Sequence, residues 1–176
     1  MARGGSILVA LAVAAVIGCS GPAANPAAHA DKAIAAGEIG SRLPEFHLKG
    51  LAGREIDSAQ LTGKVVLIDF WATWCAPCKQ EMPGYQKLME QYGSRGFTVI
   101  GLKFDTIPDT EDPLEFAKRI GVRYPLAVAS DDLSAKFGGI EGLPTTMIYD
   151  RKGVLRKKII GFEYTEVVEK DVESLH

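Results

Sequence analysis

Along this chain the hydrophobic positions alternate between two spacings. Lys64-Val65-Val66-Leu67-Ile68-Asp69-Phe70-Trp71 follows Gly63 as a β-branched, nearly continuous apolar run, the pattern of a strand covered on both faces. A helix is predicted from Ala76-Pro77, where proline suits a first turn, through Glu81, Met82, Tyr85, Leu88, Met89 and Tyr92 to Gly93 or Gly96. Pro83 falls inside it and predicts a kink. Phe97–Phe104 reads as a second buried strand. Asp112-Pro113-Leu114-Glu115 then has the cap, first-turn proline and acidic third position of a helix running to about Gly121. Leu126–Ala129 is a short strand, and Ser130–Phe137 a short helix stopped by Gly138-Gly139. Thr145–Tyr149 and Val154–Ile160 flank the turn Asp150-Arg151-Lys152-Gly153 as a hairpin. Thr165–Leu175 closes the chain as a helix with Val168, Val172 and Leu175 on one face. Ahead of all this, Pro44–Leu48 and Glu55–Asp57 alternate around Gly50 and Gly53, predicting a small β-hairpin. Strands alternating with helices imply parallel pairing, and the terminal hairpin adds an antiparallel edge. The expected class is α/β with a mixed central sheet flanked by helices.

The first residues follow a different pattern. Arg3 lies in a short polar start without acids, Ile7–Ile17 is continuously apolar, and Gly18-Cys19 follows. That run is too short for a bilayer core, which needs about 20 residues, so residues 1–18 read as a secretory signal peptide. Val16-Ile17-Gly18-Cys19 resembles the bacterial lipoprotein cleavage box, which would make Cys19 the lipid anchor. Residues 19–42, rich in Ala, Pro and Gly, then form a flexible tether, and residues 43–176 one domain. Cleavage after Ala28-His29-Ala30, releasing a soluble protein, is the alternative; both place the domain outside the cytoplasm.

Composition narrows the partners. With 20 basic and 22 acidic residues, and Lys152, Arg156, Lys157 and Lys158 as the one basic cluster, the chain lacks the charge of a nucleic-acid binder. A solvated strand edge accounts for that cluster.

Cys75-Ala76-Pro77-Cys78 lies where a strand gives way to a helix. Disulfide exchange needs a thiolate, and the free N–H groups and positive dipole end of a helix N-terminus stabilise one. Cys75 is expected to be the more exposed attacking thiol and Cys78 the resolving one. A zinc site would need a further Cys or His pair, yet His29 lies in the tether, His47 stands alone and His176 is terminal. A structural disulfide closing so short a loop would constrain the unfolded chain little. Redox chemistry is therefore the preferred reading, with no metal and no cofactor beyond a redox-active Cys75–Cys78 disulfide.

Val66-Leu67-Ile68-Asp69-Phe70-Trp71-Ala72-Thr73-Trp74-Cys75-Ala76-Pro77-Cys78-Lys79 resembles the active-site segment of the thioredoxin superfamily. The lipoprotein-like leader, Trp71-Ala72-Thr73-Trp74-Cys75 and Glu81-Met82-Pro83 resemble its TlpA/ResA-like branch, which includes cytochrome c maturation thioredoxins of CcmG/DsbE type. The resemblance implies a thioredoxin fold with an N-terminal β-hairpin extension and an inserted βα element. It implies that Pro144, in Gly142-Leu143-Pro144-Thr145, is cis, leaving the Leu143 backbone to pair with an extended substrate. Trp74, Ala76 and Pro77 would border that substrate. Asp69 matches the buried acid of thioredoxin and could take a proton from Cys78; many branch members lack an acid there. Glu81, three residues beyond Cys78, matches the branch's acid near the active site; a solvated first-turn acid is the plainer reading.

Ala76 and Pro77 supply no charge, and ionised Asp69 and Glu81 would disfavour a thiolate. Both points favour a reductant, nearer thioredoxin's ~−270 mV than DsbA's ~−120 mV. The expected function is an extracytoplasmic, membrane-anchored thiol–disulfide oxidoreductase that reduces disulfide-bearing exported proteins. The resemblance implies apocytochrome c as client and a membrane thiol carrier of CcdA/DsbD type as electron donor. A copper chaperone using the same two cysteines, and a thiol oxidant or peroxide reductase of the same fold, are the alternatives. A monomer is expected.

Overall fold

The structure, a computed structural model, describes Met1 and residues 34–104, 107–109 and 111–176. The signal peptide, Cys19 and most of the tether lie outside the described residues.

Two strands, β1 (His47–Lys49) and β2 (Glu55–Asp57), pair antiparallel as the expected hairpin. The domain then runs β3 (Val65–Trp71), α1 (Ala76–Tyr92), β4 (Phe97–Lys103), α2 (Pro113–Arg119), β5 (Leu126–Val128), α3 (Asp131–Lys136), β6 (Thr145–Tyr149), β7 (Leu155–Ile160) and α4 (Thr165–Glu173). The five-stranded sheet has the order β5-β4-β3-β6-β7, with β3, β4 and β5 parallel and β6 antiparallel to both neighbours. Every residue of β3, β4 and β6 is buried, which is why their sequences are apolar almost throughout.

Period-2 alternation in β3 divides the core. Val65, Leu67 and Trp71 pack with Cys78, Met82, Tyr85, Leu88, Phe116, Val168 and Val172, the layer of α1, α2 and α4. Val66, Ile68 and Phe70 pack on the other side with Leu133, Phe137, Phe46 and Ile56 from α3 and the hairpin region. Asp69, at 0 % exposure, shares the parity of Leu67 and Trp71 and therefore faces α1. Where α1 and α4 meet, Gly84 lies so close to Thr165 that a Cβ would come within 1.9 Å of its Oγ1.

Both sheet edges are managed. Leu51 N donates to Leu126 O at 2.7 Å and Gly50 bridges Ala127, so the hairpin covers β5. On the opposite edge, Gly40 N donates to Leu155 O and Leu155 N to Ser41 O, both at 2.8 Å. Contacts with the domain thus begin before Leu43, where the composition shift alone had placed its start. The basic residues Arg156, Lys157 and Lys158 lie on β7, whose side chains are partly solvated. No helix among the described residues is long and apolar enough to cross a membrane.

Candidate active site

Strand β3 ends at Trp71, and the chain turns through Ala72–Trp74 into α1 with Cys75 as its N-cap. Cys78 N donates to Cys75 Sγ at 3.3 Å, and the two cysteines form a disulfide with Cα atoms 5.3 Å apart. Pro77 occupies the first turn, where its missing N–H costs nothing. Cys75 keeps 3 % exposure and Cys78 none, so the order of access is the expected one, although both are buried while bonded. Trp74 stands 44 % exposed beside them.

The approach to the cysteines is braced from β4. Lys103, 6 % exposed, pairs with Asp109 at 2.8 Å, and Thr73 Oγ1 donates to the other Asp109 oxygen at 2.7 Å. Trp71 stacks on Phe116 of α2 with centroids 5.5 Å apart, and the Lys79 ammonium lies 5.4 Å above the outer ring. The peptide bond Leu143–Pro144 is cis, as the resemblance implied. Leu143 packs against the cluster holding both cysteines, and Gly161 N donates to Pro144 O at 2.8 Å.

In the buried layer between β3 and α1, the helix that carries Cys78, the structure gathers two acids and three hydroxyls. Asp69 Oδ2 accepts from the Tyr124 hydroxyl at 3.4 Å, while Oδ1 is buried without a hydrogen-bond partner. The space for Tyr124 exists because Asp69's register partner on β4 is Gly101; a Cβ there would meet Tyr124 and Trp71 at 3.0 and 3.1 Å. Burial, then the nearby Glu81 charge, pushes the Asp69 carboxyl well above the usual carboxylate range, and the Tyr124 hydrogen bond opposes this.

Glu81 is not the solvated first-turn acid of the plainer reading. It is 1 % exposed, accepts from Glu163 N at 2.6 Å through Oε1, and leaves Oε2 buried without a partner. Burial pushes it up to about 7 despite the Glu163 N–H. One turn further along α1, Tyr85 places its hydroxyl 3.0 Å from Thr146 Oγ1. Thr146 is directly opposite Asp69 in the β3–β6 register.

The sequence singled out Asp69 and Glu81 but not Tyr85, Tyr124 or Thr146. Tyr85 was legible only as part of the apolar face of α1, and Thr146 only as a strand residue. Tyr124 lies outside any element, and nothing in its local pattern points at Asp69. Among the described residues, no group of three or more His, Cys, Asp or Glu side chains is placed to hold a metal ion.

A family model, AhpC/TSA, matches residues 39–158. The chain is 33 % identical over 138 residues to the thiol-disulfide oxidoreductase ResA of Geobacillus thermodenitrificans, covering 78 % of each protein. It is 34 % identical over 123 residues to the thioredoxin-like protein YneN of Bacillus subtilis, covering 69 % of this chain and 71 % of that one. A thiol:disulfide interchange protein of the thioredoxin family from Chlorobium tepidum has a similar structure, with a TM-score of 0.71 and 29 % identity over 78 % of this chain and 97 % of that one.

Proposed function

The chain belongs to the AhpC/TSA family and is a thiol–disulfide oxidoreductase of the ResA type, and from that premise we propose that it works outside the cytoplasm as a reductant of exported proteins. The observation that carries this is the Cys75–Cys78 disulfide at the N-terminus of α1, backed by two buried carboxyls and flanked by the cis Leu143–Pro144 peptide.

In the reducing cycle the Cys75 thiolate attacks one sulfur of a client disulfide. A mixed disulfide forms, and the other client sulfur leaves as a thiolate and takes up a proton. Cys78 gives its proton to a buried acid and attacks Cys75 Sγ, expelling the second client sulfur as a thiolate, which is protonated in turn. Two electrons have moved to the client, and Cys75–Cys78 is left oxidised. A dithiol donor of the CcdA/DsbD type then restores both thiols. Trp74, Ala76 and Pro77 form the wall along which the client lies. The backbone of Leu143, held by the cis bond, offers it β-type pairing.

Direction follows from charge. Ala76 and Pro77 offer the thiolate no cationic or hydrogen-bonding side chain, and a carboxylate at Asp69 or Glu81 opposes it. Such a couple holds its electrons loosely and reduces clients. The leader supports export and a lipid anchor on Cys19, and the client class we assign is the haem-attachment cysteines of apocytochrome c. The leader boundary at residue 18 belongs to the same proposal, with the domain beginning no later than Gly40, whose N–H already pairs with Leu155.

Two measurements test it. Equilibration with thiol buffers is expected to give a potential within about 30 mV of thioredoxin's ~−270 mV, whereas a value near ~−120 mV would reverse the direction of electron flow. Cys78→Ser is expected to accumulate mixed disulfides on Cys75 in the cell envelope, and Cys75→Ser to accumulate none. Absence of apocytochrome c among the trapped species would remove that client.

A further inference from the structure

Glu81, Tyr85, Thr146 and Asp69 form a chain of polar side chains buried between α1 and the sheet, and the disulfide chemistry alone does not require its middle members. Glu81 and Tyr85 are four residues apart on one face of α1. The Tyr85 hydroxyl meets Thr146 Oγ1 at 3.0 Å, and Thr146 stands across from Asp69 on the adjoining strand. Tyr85 and Asp69 are fully buried, Glu81 and Thr146 at 1 % exposure. Each carboxyl has one buried oxygen without a hydrogen-bond partner. A carboxylate oxygen left so is costly, whereas a protonated one becomes a donor able to use a hydroxyl.

We propose that Tyr85 is a positioning residue that, with Thr146, couples Asp69 and Glu81 into one unit holding a single exchangeable proton for the resolving thiol. The proposal rests on the reductant reading above and says which groups store the proton that Cys78 releases. When Cys78 loses its proton to this unit, S–H breaks and O–H forms, and the charge moves from carboxylate to sulfur. After the client thiol has left, the unit loses that proton to solvent from the Glu81 end, where the connection 161–164 reaches the surface.

Two like charges facing a common pair of hydroxyls in a dry layer cannot both persist, which sets the stoichiometry at one. The groups facing the unit come from every element around it: Tyr85 and Cys78 from α1, Thr146 from β6, Tyr124 ahead of β5, and Glu163 ahead of α4. Gly101 on β4 brings no side chain. Among the described residues none of these is cationic, and Lys103, two residues along β4, pairs with Asp109, so none of the groups named holds both acids ionised. Burial, and then the charges of Asp69 and Glu81, raise the Tyr85 phenol far above its ordinary value, so it acts as a neutral hydrogen-bonding group throughout.

The test is the pH dependence of Cys75–Cys78 disulfide formation in the full chain, followed against a small-molecule disulfide from pH 5 to pH 9. Five proteins are compared: wild type, Asp69→Asn, Glu81→Gln, Tyr85→Phe, which removes only the hydroxyl, and the double variant Tyr85→Phe/Glu81→Gln. Wild type is expected to show one ionisation near neutrality besides those of the thiols. Each acid variant is expected to move it by about one pH unit, a tenfold change in the proton equilibrium. In Tyr85→Phe, adding Glu81→Gln is expected to move the profile by less than it does in wild type. The part of the coupling carried by the hydroxyls is then gone, and only the direct influence of the Glu81 charge on Asp69 remains. Should Tyr85→Phe retain the wild-type profile and the wild-type response to Glu81→Gln, the coupling is wrong while the acid roles stand. Should neither acid variant move the profile, the acid roles in the reductant mechanism fall, and the coupling with them. Urea unfolding of each variant, with the disulfide intact, separates loss of fold from change of profile.

Discussion

At the scale of single residues, the site depends on what Gly101 leaves out. As the register partner of Asp69 on a fully buried strand, it could have carried any apolar side chain. Its missing side chain is what lets the Trp71 indole and the Tyr124 ring lie over β4, with Tyr124 reaching Asp69. A Cβ there would sit 2.4 Å from Leu126 Cδ2 and 3.0 Å from the Tyr124 ring. Leu126 can rotate away, but the two aromatic rings are held by their neighbours. Gly101→Ala is expected to destabilise the protein by about 1–3 kcal/mol, the usual cost of overpacking a filled core. Urea unfolding measures it, and a variant within about 0.5 kcal/mol of wild type would mean that the rings move freely. Nothing local marks this glycine in the sequence, where Ile100-Gly101-Leu102 reads as an ordinary strand. Asp69 was legible because an acid in an apolar run stands out; its partner was not, because Tyr124 is joined to it only by the fold.

Elements were legible to the extent that local chemistry sets their ends. The start of α1 follows from Pro77 in its first turn, and the starts of α2 and α3 from Asp112 and Ser130, whose side chains accept from the free N–H groups there. Ends set by distant partners were harder to read. β1 begins at His47 rather than Pro44 because its length is fixed by pairing with Glu55–Asp57. The short 3-10 turn Ser58–Leu61, capped by Asp57, has no clear signature. Closest packing between elements is also invisible in one dimension: Gly84 on α1 meets Thr165 at the start of α4. Gly84→Ala is therefore expected to cost more than the small gain in helix propensity returns, a net loss of about 1–3 kcal/mol. Thr165→Ala removes the atom in conflict. The double variant should recover most of the loss, and the coupling energy from a double-mutant cycle is the observable. An additive cycle would mean that α4 shifts as a body to make room.

For the whole molecule, the buried acids reverse the usual dependence of stability on pH. A carboxyl that gains partners on folding is more acidic when folded and makes the protein weaker in acid. Glu81 is changed the other way, from an ordinary 4.5 to about 7, chiefly by burial. Between those values the folded chain holds a proton that the unfolded chain has lost, so stability falls as pH rises through that window and levels off above it. Asp69, raised by burial and by the Glu81 charge, adds to the slope in the same direction. For Glu81 alone the full shift corresponds to about 3 kcal/mol at most, reduced by whatever relaxation admits water. Unfolding by urea at pH 5, 6, 7 and 8, with the disulfide intact, is expected to show the midpoint falling across this range in wild type. The fall is less steep at the acid end, where His176, held below its ordinary value by burial and then by Arg95 and Arg151, contributes in the opposite direction. Glu81→Gln should flatten the trend and be the more stable protein at pH 8. Equal slopes in the two would mean that Glu81 ionises without cost and has no store of free energy to spend on a thiol. A falling slope means that the fold tolerates an unfavourable charge where the resolving cysteine needs somewhere to leave its proton.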